Sequence, residues 1–493
     1  MSVWRIKPVS AFEADMKKND LKRVLTKWGL TSLGIGAIIG GGIFTLTGIA
    51  AHDYAGPALA LSFVIAGIGC LFASLCYAEF ASVLPVEGSA YAYAYGTVGE
   101  LFAWFIGWNL ILEYMMGATT VAVAWSGYFV KLLHLFRVDI PIWLCNDLAT
   151  ATEKCKELGL DPPSFAFNLP ALLITWLVTY ILVKGIKEAA NTNNVIVIVK
   201  IAVVLFVIIV GAFFIKTQNW SPFIPDPVAV LDANGAATGK FNFGFGGVLT
   251  AATIVFFAYI GFDAVSTQAG EAINPKKDVP FAIIASLVIC TILYILVSLV
   301  LTGMVKYDQL DKAAPVASAF SGIGLTWAVF IITLAATAGL TSVMLVMMLG
   351  QTRIFLGMAK DGLLPKGLFG TLHAKFKTPY KSTILVGLVV SVVASLTPID
   401  KVSEMCSMGT LLAFAMVCVA VMILRYKKPE LERPYKTPAV YVVGTLGVAF
   451  NIFLMCFVRK DTWIAFIIWG TLGILVYFLY SKRNSNLEKK ELQ

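Results

Sequence analysis

Charged side chains are scarce in this chain of 493 residues: Asp, Glu, Lys and Arg make up 14% of it, whereas a soluble domain carries about 25%. With 58% hydrophobic residues and a mean hydropathy of +0.82, that shortage excludes a water-facing surface over most of the chain. A lipid-facing exterior is the simplest account, and the lipid bilayer is the first partner it implies. Histidine is rarer still: His52, His134 and His373 have no spacing that gathers them with cysteines or carboxylates into a metal site. Phosphate-binding signals fail as well. Gly34–Ile39 lacks the third glycine of a dinucleotide fingerprint, and Asn234–Lys240 ends in Gly-Lys without the first glycine of a P-loop. No low-complexity tail is present, and no apolar-free stretch is long enough for a sizeable soluble domain.

What is present is a series of apolar runs near the roughly 20 residues needed to cross a bilayer. They predict an all-α polytopic membrane protein with twelve spans, at about 30–52, 58–82, 98–131, 168–184, 194–216, 247–271, 280–304, 325–351, 381–397, 402–425, 438–457 and 461–481. The net charge of +9 does not point to nucleic acid, because the basic residues sit in short connections rather than on one face. With both termini inside, the cytoplasmic segments hold 26 Lys and Arg against 11 outside and one within a span, in line with the positive-inside rule. The basic segment 1–29 has no apolar run or cleavage signal and is expected to be a retained cytoplasmic arm, with 482–493 a cytoplasmic tail. A cell-membrane location follows.

Two long polar connections, about 132–167 and 217–246, fall outside. The first holds Cys145 and Cys155, candidates for a disulfide in the one compartment where a bridge persists. Cys70, Cys76, Cys290, Cys406, Cys418 and Cys456 lie in or beside apolar spans, where cysteine behaves as a small hydrophobic residue.

The first span carries GIGAIIGGGIF, Gly34 to Phe44. Three consecutive glycines at mid-membrane are costly for a helix. Such a break is tolerated where backbone lines a cavity and its N–H groups meet an anion; close packing of small residues is the other reading. The sixth span carries FFAYIGFDAVSTQ, Phe256 to Gln268, with Gly261 and Asp263 deep in an apolar run. Spans one and six stand five apart, as inverted repeats would place them.

Further motifs carry a resemblance. CYAEFASVLPVEGSAYAYAY (Cys76–Tyr95), GELFAWFIGWNLILEY (Gly99–Tyr114), GFGGVL (Gly244–Leu249), GFDAVSTQAGEAINPKKDVP (Gly261–Pro280), MAKDGLLP (Met358–Pro365) and MGTLLAF (Met408–Phe414) closely resemble the cationic amino acid transporter (CAT) branch of the amino acid–polyamine–organocation superfamily, over residues 20 to 430. The resemblance implies a LeuT-type fold: a transport core at 30–425, with spans one to five and six to ten as inverted repeats, and two appended helices at 426–481. Vertebrate CATs have two further helices, whereas a chain of twelve resembles bacterial members.

By the same resemblance, a substrate carboxylate would meet N–H groups around Gly41, Gly42 and Ile43. Its ammonium would meet carbonyls near Ile38, Phe257, Ala258 and Ile260, and Phe257 resembles an aromatic gate, with ordinary packing as the alternative. Half-helix ends of opposite partial charge suit a zwitterion between them. Lys200, about seven residues into the fifth span, either snorkels inward or, as in proton-coupled relatives, stands where sodium-coupled transporters of this fold hold an ion. Vertebrate CATs have asparagine there. Burial disfavours a charged ammonium, so alternating exposure would load and release a proton.

Glu113 and Asp263 are candidates for meeting a cationic side chain or for structural hydrogen bonding; the related CAT segment has serine at 113. Thr341 and Ser342 on the eighth span are candidates to face Lys200 or the pocket. The expected function is therefore proton-coupled L-amino acid transport without a cofactor, the substrate being of the arginine, lysine, ornithine or alanine class. Exchange without net proton movement is the alternative. A membrane enzyme would need a nucleophile–base pair or metal cluster, which the sparse polar residues of the spans do not supply.

Overall fold

The computed structural model describes residues 5–7, 25–83, 89–185, 189–231 and 237–487. The chain is overwhelmingly helical, and helices stand where apolar runs were found. The first run is divided: α1 (Lys27–Ile38) ends in mid-run, and a second helical segment, α2, runs from 42 to 55 through two π-type turns. Then come α3 (Leu59–Val83), α4 (Ser89–Thr97) and α5 (Glu100–Leu135). The following connection contains α6 (Leu148–Glu157), followed by α7 (Leu169–Lys184) and α8 (Ala189–Ala212). The 217–246 connection, read from sequence only as polar, contains a hairpin in which β1 (Val228–Leu231) pairs antiparallel with β2 (Ala237–Asn242).

The sixth run is also divided: α9 (Gly244–Val255) gives way to 3-10 turns at Phe256–Tyr259 and Asp263–Glu271. The remainder is α10 (Pro275–Met304), α11 (Pro315–Gly322), α12 (Thr326–Lys360), α13 (Tyr380–Leu396), α14 (Ile399–Lys427), α15 (Val440–Met455) and α16 (Lys460–Val476).

Among the described residues, seven helical runs are long and apolar enough to cross a bilayer, and four apolar helices are shorter. Their faces sort by environment. On α13, Ile384, Leu388, Val392 and Leu396 are exposed at four-residue spacing, whereas Val386, Val390 and Ala394 are buried. In water an exposed apolar stripe would be costly; in a bilayer it is the outer surface. This is a multi-pass membrane protein.

Helix ends are set by local chemistry. Asn168 caps α7 by accepting from the Ala171 N–H (3.1 Å), with Pro170 in the first turn, where a missing N–H costs nothing. Near the C-terminal end of α3, buried Glu79 takes two hydrogen bonds from Arg425 (2.9 and 2.7 Å), another from the Thr437 N–H (2.8 Å), and an ion pair with Arg433 (3.3 Å). A buried carboxylate paired this fully fastens α14 and the α14–α15 connection to α3. Cys145 and Cys155 lie on neighbouring short helices of the connection between α5 and α7 and are free thiols; the Cys145 Sγ instead lies 3.7 Å from the Ile142 carbonyl.

Candidate functional site

The two interrupted helices face each other. Between α1 and α2, Ile39 is extended (φ −71°, ψ 101°); Gly40 completes the break, and Gly41 already has helical dihedrals. The break thus falls one residue before the three-glycine run and uses those glycines to restart the helix. In the sixth run the chain turns at Ile260 (φ −62°, ψ 132°) and Gly261, whose φ of +122° lies where a side chain is strained. Neither helix is a continuous rod.

Close approach of backbone holds the breaks together. A methyl group on Gly42 would run into Cα and Cβ of Ala258, and one on Gly261 would stand 2.9 Å from the Ala37 carbonyl carbon and oxygen. The Cα face of Gly42 therefore serves the contact with Ala258. Gly41 has room: a methyl there would meet Ala124 at 3.4 Å, Leu340 at 3.8 Å and the Phe257 ring at 3.9 Å. The first N–H groups of α2, from Gly41, Gly42 and Ile43, have no carbonyl one turn earlier within their own helix.

Tyr294 of α10, one tyrosine in an apolar run with no motif around it, joins the two breaks. Its buried hydroxyl stands 2.8 Å from the Ile38 carbonyl oxygen and 2.9 Å from that of Ala258. One hydroxyl donates one proton at a time, so it serves whichever carbonyl is less occupied, and each oxygen keeps a lone pair for another donor.

Lys200 is buried on α8 and does not snorkel. Its Nζ donates to the carbonyls of Gly36 (2.7 Å) and Ile39 (3.1 Å), the second of them at the break. Its stem packs on Gly339 of α12. Thr341 does not face this lysine: its hydroxyl accepts from the Trp125 indole (2.9 Å) and donates to the Thr337 carbonyl (2.9 Å), joining α12 to α5. Ser342 is buried on α12.

The two acidic candidates form one neighbourhood. Asp263 accepts from the Gly261 N–H (3.2 Å) and the Tyr114 hydroxyl (3.3 Å), which stabilises the turn after the break. Glu113, on α5, is buried within electrostatic range of Asp263, and neither of its carboxylate oxygens has a hydrogen-bond partner among the described residues. Thr410, close by on α14, donates to the Cys406 carbonyl (3.0 Å). No group of three or more His, Cys, Asp or Glu able to hold a metal occurs among the described residues.

Two broken helices packed backbone to backbone, Gly42 on Ala258 and Gly261 on Ala37, suit a carrier for a small polar solute, and comparison with known proteins names the family. The amino acid permease family matches residues 25–479. This chain belongs to that family. It is 44% identical over 491 residues to the branched-chain amino acid permease BcaP of Bacillus subtilis (strain 168), covering 99% of each chain. It is 43% identical over 491 residues to the methylthioribose transporter of the same organism, covering 99% of this chain and 100% of that one. The vacuolar cationic amino acid transporter 2 of Arabidopsis thaliana is 37% identical over 434 residues, 88% of this chain and 64% of the relative. These relatives are transporters rather than enzymes, and the permease joins them in the amino acid–polyamine–organocation superfamily.

Proposed function

We propose that this permease is a secondary-active, proton-coupled L-amino acid transporter that works by alternating access. The observation that carries the reading is the pairing of the two breaks across Gly42–Ala258 and Gly261–Ala37, with Lys200 bonded to the carbonyl of Ile39 in the first break. The substrate carboxylate sits at the N–H groups of Gly41, Gly42 and Ile43, and the ammonium at the carbonyls of Ile38, Phe257, Ala258 and Ile260. Phe257 covers the solute. Lys200 supplies a positive charge that is lost and regained as the site opens to each side.

In this reading the chain has twelve spans, ten of them forming a LeuT-type core at 30–425 and two further helices following at 426–481. Both termini lie in the cytoplasm, and the membrane is the cell membrane. Ala124, Leu340 and Phe257 beside Gly41 favour a small or branched neutral side chain, as the name of the BcaP relative also suggests. Cationic substrates depend on Glu113.

The test is uptake competition in proteoliposomes with an inward proton gradient, using the standard amino acids and methylthioribose as competitors. Competition by neutral or cationic amino acids is the expected result. Competition by methylthioribose alone overturns the substrate class, and accumulation indifferent to the proton gradient, with trans-stimulated exchange intact, replaces coupling by exchange.

A further inference from the structure

The outer end of α2 is tied to two other parts of the chain through one lysine. Lys312, in the connection between α10 and α12, lies 3.1 Å from Asp53 of α2 and 2.9 Å from Glu153 of α6. His52 stands beside Asp53 (2.6 Å). The same connection is seated against two membrane helices. A methyl on Gly48 of α2 would collide with the Asp311 carbonyl and stand 2.8 Å from Pro315, and one on Gly127 of α5 would stand 3.0 Å from the Ala313 carbonyl oxygen. Asp311 fixes the loop's shape by accepting from the N–H groups of Ala313 (2.7 Å) and Ala314 (3.2 Å) and from the Ser318 hydroxyl (2.9 Å). Lys131 of α5 donates to Ser318 (3.2 Å).

We propose that Lys312 is a releasable latch, closing the outer approach to the site by clamping residues 311–315 between the outer ends of α2 and α5. The physical case rests on two kinds of contact in one place. Glycine faces against backbone give the loop a single seat, because packed contacts are discrete rather than continuously deformable. The bonds that hold it there are partly exposed ion pairs, which are individually weak and exchange readily with water. A permanent fastening would resemble Glu79, which is buried and paired with two guanidinium groups; a fastening that opens on every cycle needs bonds of the Lys312 kind. Breaking it frees α2 on the outer side, which is the motion that alternating access requires, so the latch rests on the transport reading above.

Hydrogen exchange of the full-length permease in nanodiscs tests this. Lys312→Met and Asp53→Asn should each raise exchange in segments 47–55 and 311–318 by about five- to tenfold, while segment 356–364 on the inner side stays unchanged. Lys312→Arg should keep the wild-type rate, and the double variant should exchange no faster than the faster single one, because both act on one contact. Unchanged exchange at the outer segments, multiplied effects in the double variant, or a rise spread over the whole chain would each overturn the latch. Failure of the unmodified permease to take up any amino acid would strike at the transport reading and leave the exchange result standing.

Discussion

The stem of Lys200 lies along Gly339: a methyl group on that glycine would stand 3.0 Å from Cε, 3.1 Å from Cγ and 3.3 Å from Cδ of the lysine. Gly339 thus gives Lys200 the space to reach the carbonyls of Gly36 and Ile39. Three helical elements meet at this point, and the charge on one side chain bears on the position of the first break.

Lys200→Ala should abolish proton-driven accumulation while leaving substrate binding detectable, since the proposed solute contacts are backbone groups. Gly339→Ala should act in the same direction with Lys200 still present, by pushing the stem aside and lengthening the Nζ contacts. A drop of about tenfold in uphill uptake, with binding retained in a thermal-shift assay, is expected; this corresponds to about 1.4 kcal/mol, just under the range for a charged hydrogen bond and so a weakening rather than a loss of the contact. Full uphill uptake by both variants would remove Lys200 from the coupling step.

Gly41 and Gly42 are neighbours with opposite surroundings, so the same substitution should separate their roles. Gly42→Ala drives a methyl into Ala258 and should cost about 1–3 kcal/mol of stability through overpacking; Gly42→Val should be worse. Gly41→Ala finds its nearest neighbour at 3.4 Å, an ordinary contact, and should leave melting near wild type while raising KM for uptake. If Gly41→Ala leaves KM unchanged, the carboxylate does not sit at the start of α2.

Much of this was legible in the chain. Gly40 to Gly42 and Gly261 announced two interrupted helices, because glycine is expensive in a helix unless the backbone must bend or approach another backbone closely. The alternation of basic and apolar segments gave the membrane character. The exact place of the first break was not legible: the run GGG marks where α2 packs on Ala258, and the turn falls at Ile39 and Gly40. Tyr294 and Gly339 were silent because their partners are backbone carbonyls and a lysine stem brought near only by tertiary packing. Thr341 is a candidate for Lys200 or for the pocket by its place on the eighth span, and its bond with the Trp125 indole comes from tertiary packing that the spacing does not show. The β1–β2 hairpin was hidden within a connection read as polar throughout.

Tyr294→Phe keeps the ring against Phe63 (5.4 Å) and Tyr259 (5.6 Å) and removes only the hydroxyl between Ile38 and Ala258. Whichever of the two buried carbonyls held its proton then loses a donor, at a cost of about 1–3 kcal/mol for a buried group left unsatisfied. A lowered melting temperature that substrate partly restores is expected, since a bound ammonium would supply the missing donor. An unchanged melting temperature, or a loss that substrate does not offset, would separate Tyr294 from the solute site.

The outer loop allows a prediction about pH in which the sign decides the outcome. Burial works against the charge of Lys312, but the hydrogen bond to Glu153 and the charge of Asp53 outweigh it and raise its pKa above the ordinary 10.5. A raised lysine contributes stability that is fully present below 10.5 and is lost as pH climbs through the folded value. Asp311 is the opposite case: burial opposes its charge, but the N–H groups of Ala313 and Ala314 hold its pKa below the ordinary 3.8, so its contribution is present above 3.8 and is lost as pH falls through the lower folded value. Histidine ordinarily titrates between these limits, and His52→Gln removes the imidazole beside Asp53. In that variant, hydrogen-exchange protection of segment 311–318 should be flat from about pH 5 to pH 9, and should fall only above the Lys312 transition. Uptake that varies with pH across the same interval, while this protection stays constant, then draws its pH dependence from the transport core around Lys200. Protection that changes several-fold within that interval would show that the loop itself carries the titrating step.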